Sequence, residues 1–313
     1  MSEQLPLGVD LGKSRVRVAS LARHGSSVRL IGVGCADVTD SLEDALAAAL
    51  LEVDSAQKKA VTMIRTCDAK LRTARFPALS TKETRRAAYF EGIASFHNEE
   101  PLAVRSMSLR HESGEDRMLI AATPVSVVQR ATAVLRSSGL RAIRVDHEGC
   151  ALARTGQVSL LDIGFSRSTL VTISGGIPVT RTIALGGSHF TSALADELGI
   201  DTNTAEIRKR TIGLGGAGSR VLDDFCSAVA SELAALREDG MLVNRLRLCG
   251  NGARLPDIIP ALERQLTMDV EPVALDELLV IDMPKQAATA AALDAFTAVA
   301  AALPNRPFAS AAA

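Results

Sequence analysis

The chain has 313 residues, of which 47% are hydrophobic and only 3% aromatic, so its core must be built mainly from aliphatic side chains. A formal net charge of −1 gives no reason to expect a nucleic-acid-binding surface, and five scattered cysteines argue against a disulfide framework or a zinc site. No run of about 18 apolar residues and no signal-peptide pattern is present. We therefore expect a cytoplasmic protein without direct membrane insertion.

The N-terminal segment begins with a predicted three-stranded meander that runs into a helix. A buried strand ends at Asp10 and Gly12, and the turn at Lys13 and Ser14 leads straight back. Residues 1–5 are expected to be a loose leader. The predicted elements are strands at 7–12, 15–21, 28–33 and 59–66 and a helix at 41–53.

From about residue 67 to residue 143 the pattern changes to a compact β-α-β-β-α unit. Ser80 and Glu83 have capping-box spacing, which predicts a helix N-terminus, and the polar stretch 111–116 predicts a turn between two strands. The predicted elements are strands at 71–76, 102–109 and 117–122 and helices at 80–90 and 124–136. This unit interrupts the first half of the chain and carries no phosphate-binding pattern.

The layout of the N-terminus returns about half a chain later. A buried strand ends at Asp162 and Gly164, and two further strands and a helix follow in the same order. Such a recurrence predicts a duplicated domain. The predicted elements are strands at 159–163, 168–173, 178–183, 245–249 and 270–273, helices at 188–198, 205–210 (capped by Thr202 and Thr204), 221–239, 255–266 and 286–303, and a disordered tail from residue 304.

The two Asp-x-Gly corners have a common chemistry. Glycine permits a tight turn and lets backbone N–H groups approach an anion. The hydroxyls of Ser14, Ser166 and Ser168 add donors, and an aspartate at a strand end can hold Mg²⁺ through water. Two such corners facing each other across a cleft would grip a polyphosphate from both sides. The alternative interpretation is a pair of ordinary structural turns.

Several segments together resemble the superfamily of actin and the sugar kinases and, within it, the PilM family of type IV pilus assembly proteins. They are GVDLG at 8–12, SGLRAIRVD at 138–146, LDIG at 161–164, LGG at 185–187, AEIRK at 205–209 and LCGNGARLP at 248–256. The resemblance spans roughly residues 7–303. It implies an α/β fold with duplicated actin-like (ribonuclease H-like) domains around a nucleotide cleft and a small α+β insert in the first half.

The resemblance also implies that Mg·ATP binds between the two halves. The implied nucleotide contacts are Asp10, Gly12, Lys13, Ser14, Asp162, Gly164, Ser166, Ser168, Gly186, Gly187, Glu206, Lys209, Gly250, Asn251, Gly252 and Ala253. Of these, the two aspartates would act on Mg²⁺ through water. Glu206 and Lys209 match family positions near the ribose and base, and residues 250–253 match the adenosine turn.

Three departures from the family pattern affect this interpretation. Asn251 stands where the family usually has glycine, but asparagine tolerates a left-handed backbone, so the turn is expected to survive. Lys13 stands in the first phosphate turn, where it either neutralises phosphate or is an exposed hairpin tip. No general base is evident from the sequence, so nucleotide binding is better supported than hydrolysis.

Two other segments each have two interpretations. The glycine-rich stretch 213–218 could cradle phosphate, although a flexible loop between helices is favoured because no strong strand precedes it. The run Arg208-Lys209-Arg210 could be a basic patch, although such a run is usually a solvated helix face.

The expected domain organisation follows from the duplication and the insert. It comprises half I at 1–66, the insert at 67–143, a return to half I at 144–156, half II at 157–284 with a helical subdomain at about 193–240, a C-terminal helix returning to half I at 285–303, and the tail at 304–313.

The function that the resemblance implies is a cytoplasmic, ATP-binding scaffold of type IV pilus or related secretion machinery. In that family the cytoplasmic tail of an inner-membrane PilN-like protein is the partner, and other pilus platform or motor proteins are further candidates. The alternatives are an FtsA-like cell-division filament protein and a small-molecule kinase of the same superfold. The first would need an amphipathic C-terminal membrane helix and the second a catalytic aspartate, and neither is evident.

The insert is the expected recognition device for that tail, through a groove between the insert and half I. The candidate groove residues are Phe76, Leu79, Tyr89, Phe90 and Ile93, with Arg72, Arg85 and Arg86 for polar contacts. The alternative is that these apolar residues form the insert's own core, which we expect for at least half of them.

Overall fold

A computed structural model describes residues 3–77, 79–96, 100–112, 115–157, 159–174, 176–283 and 293–304. In this part of the chain the strands form three sheets. A seven-stranded sheet carries the N-terminal residues, a five-stranded sheet carries the second half, and a three-stranded sheet lies in the segment between them.

The first sheet contains the predicted N-terminal meander. Its strands are β1 (Glu3–Gln4), β2 (Leu7–Leu11), β3 (Arg15–His24), β4 (Ser27–Asp37), β5 (Lys59–Ile64), β9 (Arg141–His147) and β15 (Val280–Ile281), in the order β15-β4-β3-β2-β5-β9 with β1 beside β3. Helix α1 (Leu42–Val53) begins after Ser41, whose Oγ accepts a hydrogen bond from the Asp44 N–H at 3.0 Å. The prediction of a loose leader is wrong, because Glu3 and Gln4 pair with β3 and Leu5 is buried in the core.

The second sheet repeats the first. Its strands are β10 (Ser159–Ile163), β11 (Ser168–Ser174), β12 (Ile177–Ile183), β13 (Arg245–Cys249) and β14 (Asp269–Pro272), in the order β12-β11-β10-β13-β14. In the first sheet β2, β3 and β4 are antiparallel and β2 pairs in parallel with β5. In the second sheet β10, β11 and β12 are antiparallel and β10 pairs in parallel with β13. The common strand order confirms the duplication.

The helices of the second half cover its sheet and extend beyond it. They are α5 (Gly187–Leu198), α6 (Thr202–Ile212), α7 (Ser219–Glu238), a 3₁₀ turn (Asn251–Arg254) and α8 (Ile258–Leu266). Helix α4 (Glu148–Ala153) connects β9 to β10. The predicted caps of α6 are wrong: Asp201 is the N-cap, and its Oδ1 accepts hydrogen bonds from the N–H groups of Asn203 and Thr204, each at 3.0 Å. An aspartate accepts from two backbone donors more readily than a threonine hydroxyl does.

The segment between the halves has the predicted β-α-β-β-α order. Its elements are β6 (Lys70–Pro77), α2 (Thr81–Ala94), β7 (Leu102–Glu112), β8 (Glu115–Pro124) and α3 (Val125–Ser137), and its sheet order is β6-β8-β7. The predicted turn at 111–116 is too long, because β7 and β8 stay paired up to Glu112 and Glu115, and 113–114 lie outside the described residues. Helix α3 packs Val134 and Leu135 with Leu46 of α1, so its apolar face belongs to the core of the seven-stranded sheet.

The described part of the alanine-rich C-terminal segment includes helix α9 (Phe296–Ala302), every residue of which is buried. It lies directly on β2, where a Cβ added to Gly8 would come within 1.9 Å of the Ala298 carbonyl oxygen. Arg144 donates hydrogen bonds to the carbonyls of Ala301 (2.7 Å) and Leu303 (3.0 Å) at the end of the helix. The start of the predicted helix, 286–292, and the predicted tail from 305 lie outside the described residues. Among those described, no helix is long and apolar enough to span a bilayer.

Candidate functional site

The two Asp-x-Gly corners face each other across one cleft. A cavity of about 330 Å³ lies between them. Of the predicted site residues it is lined by Asp10, Gly12, Lys13, Ser14, Asp162, Gly164, Ser166 and Gly250. A neighbouring cavity of about 180 Å³ shares Ser14 and Gly164 with the first and is also lined by Gly187, Glu206, Lys209, Asn251 and Gly252. The fold therefore brings together the two hairpins, the α6 residues and the predicted adenosine turn.

Three predicted site residues do not line either cavity. The Ser168 side chain is buried and donates its hydroxyl hydrogen to the Leu185 carbonyl at 2.8 Å, so that donor is used within the protein. Ala253 is buried in the second-half core. Gly186 lies against the second hairpin, where an added Cβ would stand 2.7 Å from both the Gly164 carbonyl oxygen and the Arg167 nitrogen. Gly186 thus allows α5 to start directly on the turn.

Asp10 is held from two sides at the end of β2. Its Oδ2 accepts a hydrogen bond from Arg17 Nη1 at 3.0 Å and another from Thr297 Oγ1 at 2.7 Å. The Asp10 side chain is 11% exposed, so the carboxylate is largely desolvated and needs these partners. A residue from the C-terminal helix therefore helps to fix the first Asp-x-Gly corner.

Arg17 is a site residue that the sequence did not reveal. It lines both cavities, and its side chain is only 11% exposed. Burial works against its charge, but the negative charges of Asp10 and Asp162 outweigh this and raise the pKa of Arg17. The signal in the sequence is a charged residue on an otherwise apolar strand that follows the first corner. Its position between the two corners suits a contact with an anion.

Glu148 is the second residue that the sequence did not reveal. It is the first residue of α4, it is 5% exposed, and it lines the larger cavity with Asp10 and Asp162. Its Oε2 accepts hydrogen bonds from the Thr66 N–H (2.9 Å) and from Thr169 Oγ1 (3.0 Å). Burial raises the pKa of Glu148. Two donors on one oxygen fix the carboxyl group and leave Oε1 outside both bonds.

Asp162 differs from Asp10 in its electrostatic setting. Burial, followed by the negative charges of Glu148 and Asp10, raises the pKa of Asp162 to about 7, against the opposing effect of Arg17. Three carboxyl groups around one cavity repel one another, and a cation placed among them would relieve that repulsion. The site therefore has a reason to accept a divalent cation.

The described residues contain no group of three or more His, Cys, Asp or Glu side chains with metal-binding geometry. Mg²⁺ commonly keeps several waters and takes one or two carboxylates together with substrate phosphates. Asp10 and Asp162 are the carboxylates at the two corners. That they hold Mg²⁺ through water stays a prediction.

The turn after β13 is built around two glycines. Gly250 has φ of +79°, and a Cβ on it would lie 2.2 Å from Asp162 Oδ1. A Cβ on Gly252 would lie 2.2 Å from Ile163 Cγ2. Asn251 is not in the left-handed region and is the first residue of the 3₁₀ turn. The turn therefore does not depend on the ability of asparagine to adopt a left-handed backbone. The turn survives because the unusual backbone falls on Gly250.

Two residues that line the smaller cavity each carry a buried acceptor atom with no partner among the described residues. These atoms are Oδ1 of Asn251 and Oδ1 of Asp294. The other oxygen of Asp294 accepts a hydrogen bond from Arg254 Nη2 at 2.9 Å. Buried acceptors are rarely left unpaired in native proteins. Amino and hydroxyl groups, such as those of a nucleoside, are donors of the kind that would satisfy them.

Glu206 and Lys209 form one network beside this cavity. Lys209 Nζ donates hydrogen bonds to Glu206 Oε2 (2.6 Å), Thr191 Oγ1 (2.7 Å) and the Gly187 carbonyl (2.9 Å). Arg210 Nε donates to the other oxygen of Glu206 at 2.7 Å. Burial lowers the pKa of Lys209. The network ties α6 to the start of α5 and, through it, to the second corner.

Comparison with solved structures identifies the fold. The PilM-PilN type IV pilus biogenesis complex matches with a TM-score of 0.84, covering 95% of this chain and 97% of that chain at 22% sequence identity. The chain has the PilM fold. The predicted class, duplicated actin-like halves around a cleft with an α+β insert, is thereby confirmed.

A second solved structure has a looser likeness to this PilM fold. The ethanolamine utilization protein EutJ from Carboxydothermus hydrogenoformans matches with a TM-score of 0.57, covering 96% of this chain and 89% of that chain at 14% identity. No protein-family model matches the sequence, and no curated protein sequence matches it significantly. At these identities the likeness concerns the fold.

Proposed function

We propose that the protein is an ATP-binding, actin-like scaffold of type IV pilus or related secretion machinery. On this proposal it docks the cytoplasmic tail of an inner-membrane PilN-like protein. The observation that carries the proposal is the likeness to the solved PilM-PilN complex over nearly the whole length of both chains. Attachment through a partner would place the protein at the cytoplasmic face of the inner membrane.

Nucleotide binding is supported by what surrounds the cleft. Backbone groups of the turns at Gly12 and Gly164 line the larger cavity, and Lys13 and Arg17 supply positive charge there. The smaller cavity is lined by Asn251 and Asp294, each with an acceptor oxygen that has no partner among the described residues. We propose that Mg·ATP lies with its phosphates between the corners and its adenosine against Asn251 and Gly252.

The nucleotide would act mainly as a structural ligand. The cleft lies between the two halves, so a ligand that contacts both favours one angle between them over others. The ion pair of Arg254 with Asp294 and the hydrogen bond of Thr297 with Asp10 connect the C-terminal segment to each side of the cleft. On this proposal, nucleotide binding changes how the insert is presented to a partner.

Calorimetry with Mg·ATP tests the nucleotide part of the proposal. The wild-type protein is expected to bind, and Asp162→Ala to bind at least tenfold more weakly, because one corner loses its carboxylate. The matched control is Asp68→Ala, since Asp68 lines the same cavity but its side chain is 41% exposed and pairs with Arg65 at 3.6 Å. Equal affinities for wild type and Asp162→Ala would exclude the two-corner clamp, and no binding by any form would exclude nucleotide altogether.

The predicted groove residues do not share one surface. Phe76 packs in the small core of the insert, whereas Tyr89, Phe90 and Ile93 are exposed on α2. The expectation that at least half of them form that core is therefore wrong. The reason is that the apolar side of α2 is built from small residues such as Ala88 and Gly92, which fit close against Val104.

Other exposed apolar residues are better candidates for the groove toward half I. Met107 is 46% exposed, and strand alternation places it on the sheet face opposite α2, because its neighbour Ser106 pairs with Ile120 of the α2-facing core. Ile143 is 47% exposed, at a bulge in β9, the edge strand of the large sheet. We propose that these two residues contact the partner's tail.

A fluorescent peptide from the N-terminus of the PilN-like partner tests this docking. Met107→Glu and Ile143→Glu are expected to weaken peptide binding at least tenfold, while Phe90→Ala on the outer face of α2 leaves it unchanged. A deletion of the insert should stop at Pro124, because α3 contributes Leu135 to the core of half I. Undiminished binding by both glutamate variants would rule out this groove.

A further inference from the structure

The outer face of α2 carries exposed aromatic side chains in a chain that has few. Tyr89, the only tyrosine in the sequence, is 46% exposed, Phe90 is 55% exposed and Ile93 is 37% exposed. Of the other aromatic side chains whose burial the structure describes, Phe165 alone is exposed, and it lies in the cleft. Large apolar groups kept together on a surface mark interaction sites more often than scattered ones do.

Tyr89 and Ile93 lie in a continuous stripe along the helix, and Phe90 is adjacent to it. Lys82, Arg86, Tyr89 and Ile93 follow one another at spacings of four, three and four, which places them on one side of three helical turns. The Arg86 guanidinium lies 5.8 Å from the centre of the Phe90 ring, and the Tyr89 and Phe90 rings meet edge to face at 5.8 Å. These contacts bring a guanidinium and two aromatic rings together on the helix surface.

The outer face of α2 is also positively charged. Lys82, Arg85 and Arg86 are exposed and have no carboxylate partner among the described residues. The two acids of the helix are already engaged, Glu83 with the N-cap Ser80 and Glu91 with Arg72 at 2.6 Å. The face therefore offers aromatic anchors beside uncompensated positive charge, which is complementary to an apolar segment with acidic flanks.

The insert does not need this face for its own fold. Ala88 and Gly92 on the opposite side of α2 pack against Val104 and Ile120 of the three-stranded sheet. The face is convex, and the helix backbone is already hydrogen-bonded. An extended peptide would find no strand edge there to pair with, whereas a second helix brings its own satisfied backbone.

We infer that the outer face of α2 docks an acidic amphipathic helix of another protein. The site is separate from the groove proposed for the PilN-like tail, and its function does not depend on that proposal. Tyrosine and arginine are the residue types that dominate the energy of protein interfaces. An anionic membrane is a weaker match. A single acyl chain gives only marginal membrane binding, and Tyr89, Phe90 and Ile93, which are only partly exposed, would bury less apolar surface than such a chain.

Photo-crosslinking in living cells tests this inference. The full-length protein would carry the photoreactive phenylalanine derivative benzoylphenylalanine at position 90, which retains the ring, or at the control position 51 on α1, where Leu51 is 83% exposed. We expect a discrete protein adduct from position 90 and none from position 51. Mass spectrometry should place the cross-link in an acidic amphipathic helix of the partner. The charge reversal Arg85→Glu with Arg86→Glu should reduce the adduct at least tenfold.

Three results would overturn the inference. They are the absence of any adduct at position 90, a cross-link to a second copy of this chain or to a segment that is not acidic, and an adduct that the charge reversal leaves unchanged. Sedimentation with vesicles containing 30% phosphatidylglycerol tests the membrane alternative. Vesicle binding by the wild-type protein that Phe90→Ala abolishes would favour a lipid surface over a protein partner. Unchanged thermal unfolding of each variant shows that its folding is intact, which is expected because the substituted side chains are exposed.

Discussion

Thr297 and Asp10 are 287 positions apart in the sequence and are joined by a hydrogen bond of 2.7 Å from Thr297 Oγ1 to Asp10 Oδ2. Through it the C-terminal helix supports the carboxylate of the first corner. Gly8, on the same strand as Asp10, depends on the same packing. It lets α9 approach to a distance that any side chain at this position would prevent. The C-terminal segment is thus part of the candidate site and not only of the core.

Replacing Thr297 by valine should destabilise the protein by about 1–2 kcal/mol, because a buried carboxylate loses a hydrogen-bond donor without a change in side-chain shape. The free energy of unfolding in urea measures the effect. The matched control is Thr62→Val in β5. Thr62 is fully buried and its Oγ1 has no partner among the described residues, so that change should be neutral or stabilising. Equal losses for the two variants would contradict a specific role for the Thr297 hydroxyl.

The raised pKa of Asp162 predicts a pH-dependent stability. In the folded protein this pKa is about 7, whereas an unfolded aspartate has a pKa of about 3.9. The folded state therefore binds more protons than the unfolded state between these values, and the contribution of Asp162 to stability falls as the pH rises through that window. Asp162→Asn removes the ionisation, so its stability relative to wild type should increase from pH 5 to pH 8.

Urea unfolding at the two pH values, without nucleotide or Mg²⁺, measures this difference. Asp223→Asn is the control, because Asp223 is exposed on α7. A stability difference between Asp162→Asn and wild type that is the same at pH 5 and pH 8 would show that Asp162 does not titrate as described.

Local patterns explain why most of the fold could be predicted from the sequence. Alternating apolar residues and glycine turns indicated both meanders, and the match of Asp10-x-Gly12 with Asp162-x-Gly164 indicated that the corners would face each other. The capping box of Ser80 and Glu83 fixed the start of α2 correctly, with both of its hydrogen bonds present. These features depend on neighbouring residues, which the sequence displays directly.

The parts that could not be predicted depend on contacts between distant residues. Arg17 of β3 and Glu148 of α4 line the larger cavity, and so does Thr297 of the C-terminal helix. Their positions depend on how these three elements pack together. Ser168 looked like a phosphate donor, but its hydroxyl is taken by the Leu185 carbonyl. Likewise Glu3 and Gln4 pair with β3, although a five-residue leader offers no pattern that predicts a strand.

Replacing Gly250 by alanine should be among the more damaging single changes in the cleft. The backbone there, with φ of +79° and ψ of 164°, costs a residue with a side chain about 1–3 kcal/mol. The new Cβ would also stand 2.2 Å from Asp162 Oδ1 and 2.7 Å from the Ile163 carbonyl oxygen. Both costs reduce the free energy of unfolding, which urea denaturation measures.

Gly139→Ala is the control for a positive φ without a steric contact. Gly139 also has a positive φ, of +73°, but an added Cβ there meets nothing within 4 Å. We expect Gly250→Ala to be destabilised clearly more than Gly139→Ala, because it adds the contacts with Asp162 and Ile163 to a backbone with ψ of 164°, a region almost confined to glycine. If the two losses are equal, the close approach of Gly250 to the second corner has no energetic consequence.

Glu148 is the described side chain best placed to orient a water beside bound phosphate. The hydrogen bonds from Thr66 and Thr169 fix its Oε2, and it shares the cavity with both aspartates. If the protein hydrolyses ATP, Glu148→Gln should lower the turnover by about 10²-fold or more, which is the usual contribution of a positioned acid or base. The affinity for ATP should stay within about threefold of wild type, because glutamine keeps the shape and the hydrogen-bond acceptor.

Single-turnover hydrolysis and calorimetry on the same preparations separate these two effects. Asp68→Asn is the matched control: Asp68 lines the same cavity, but its side chain is 41% exposed and pairs with Arg65, so both turnover and affinity should be unchanged. The wild-type rate is expected to lie well below the roughly 1–100 s⁻¹ of kinases, in keeping with a structural ligand. Turnover that Glu148→Gln leaves intact would remove Glu148 from any catalytic role and leave nucleotide binding as the only function of the cleft.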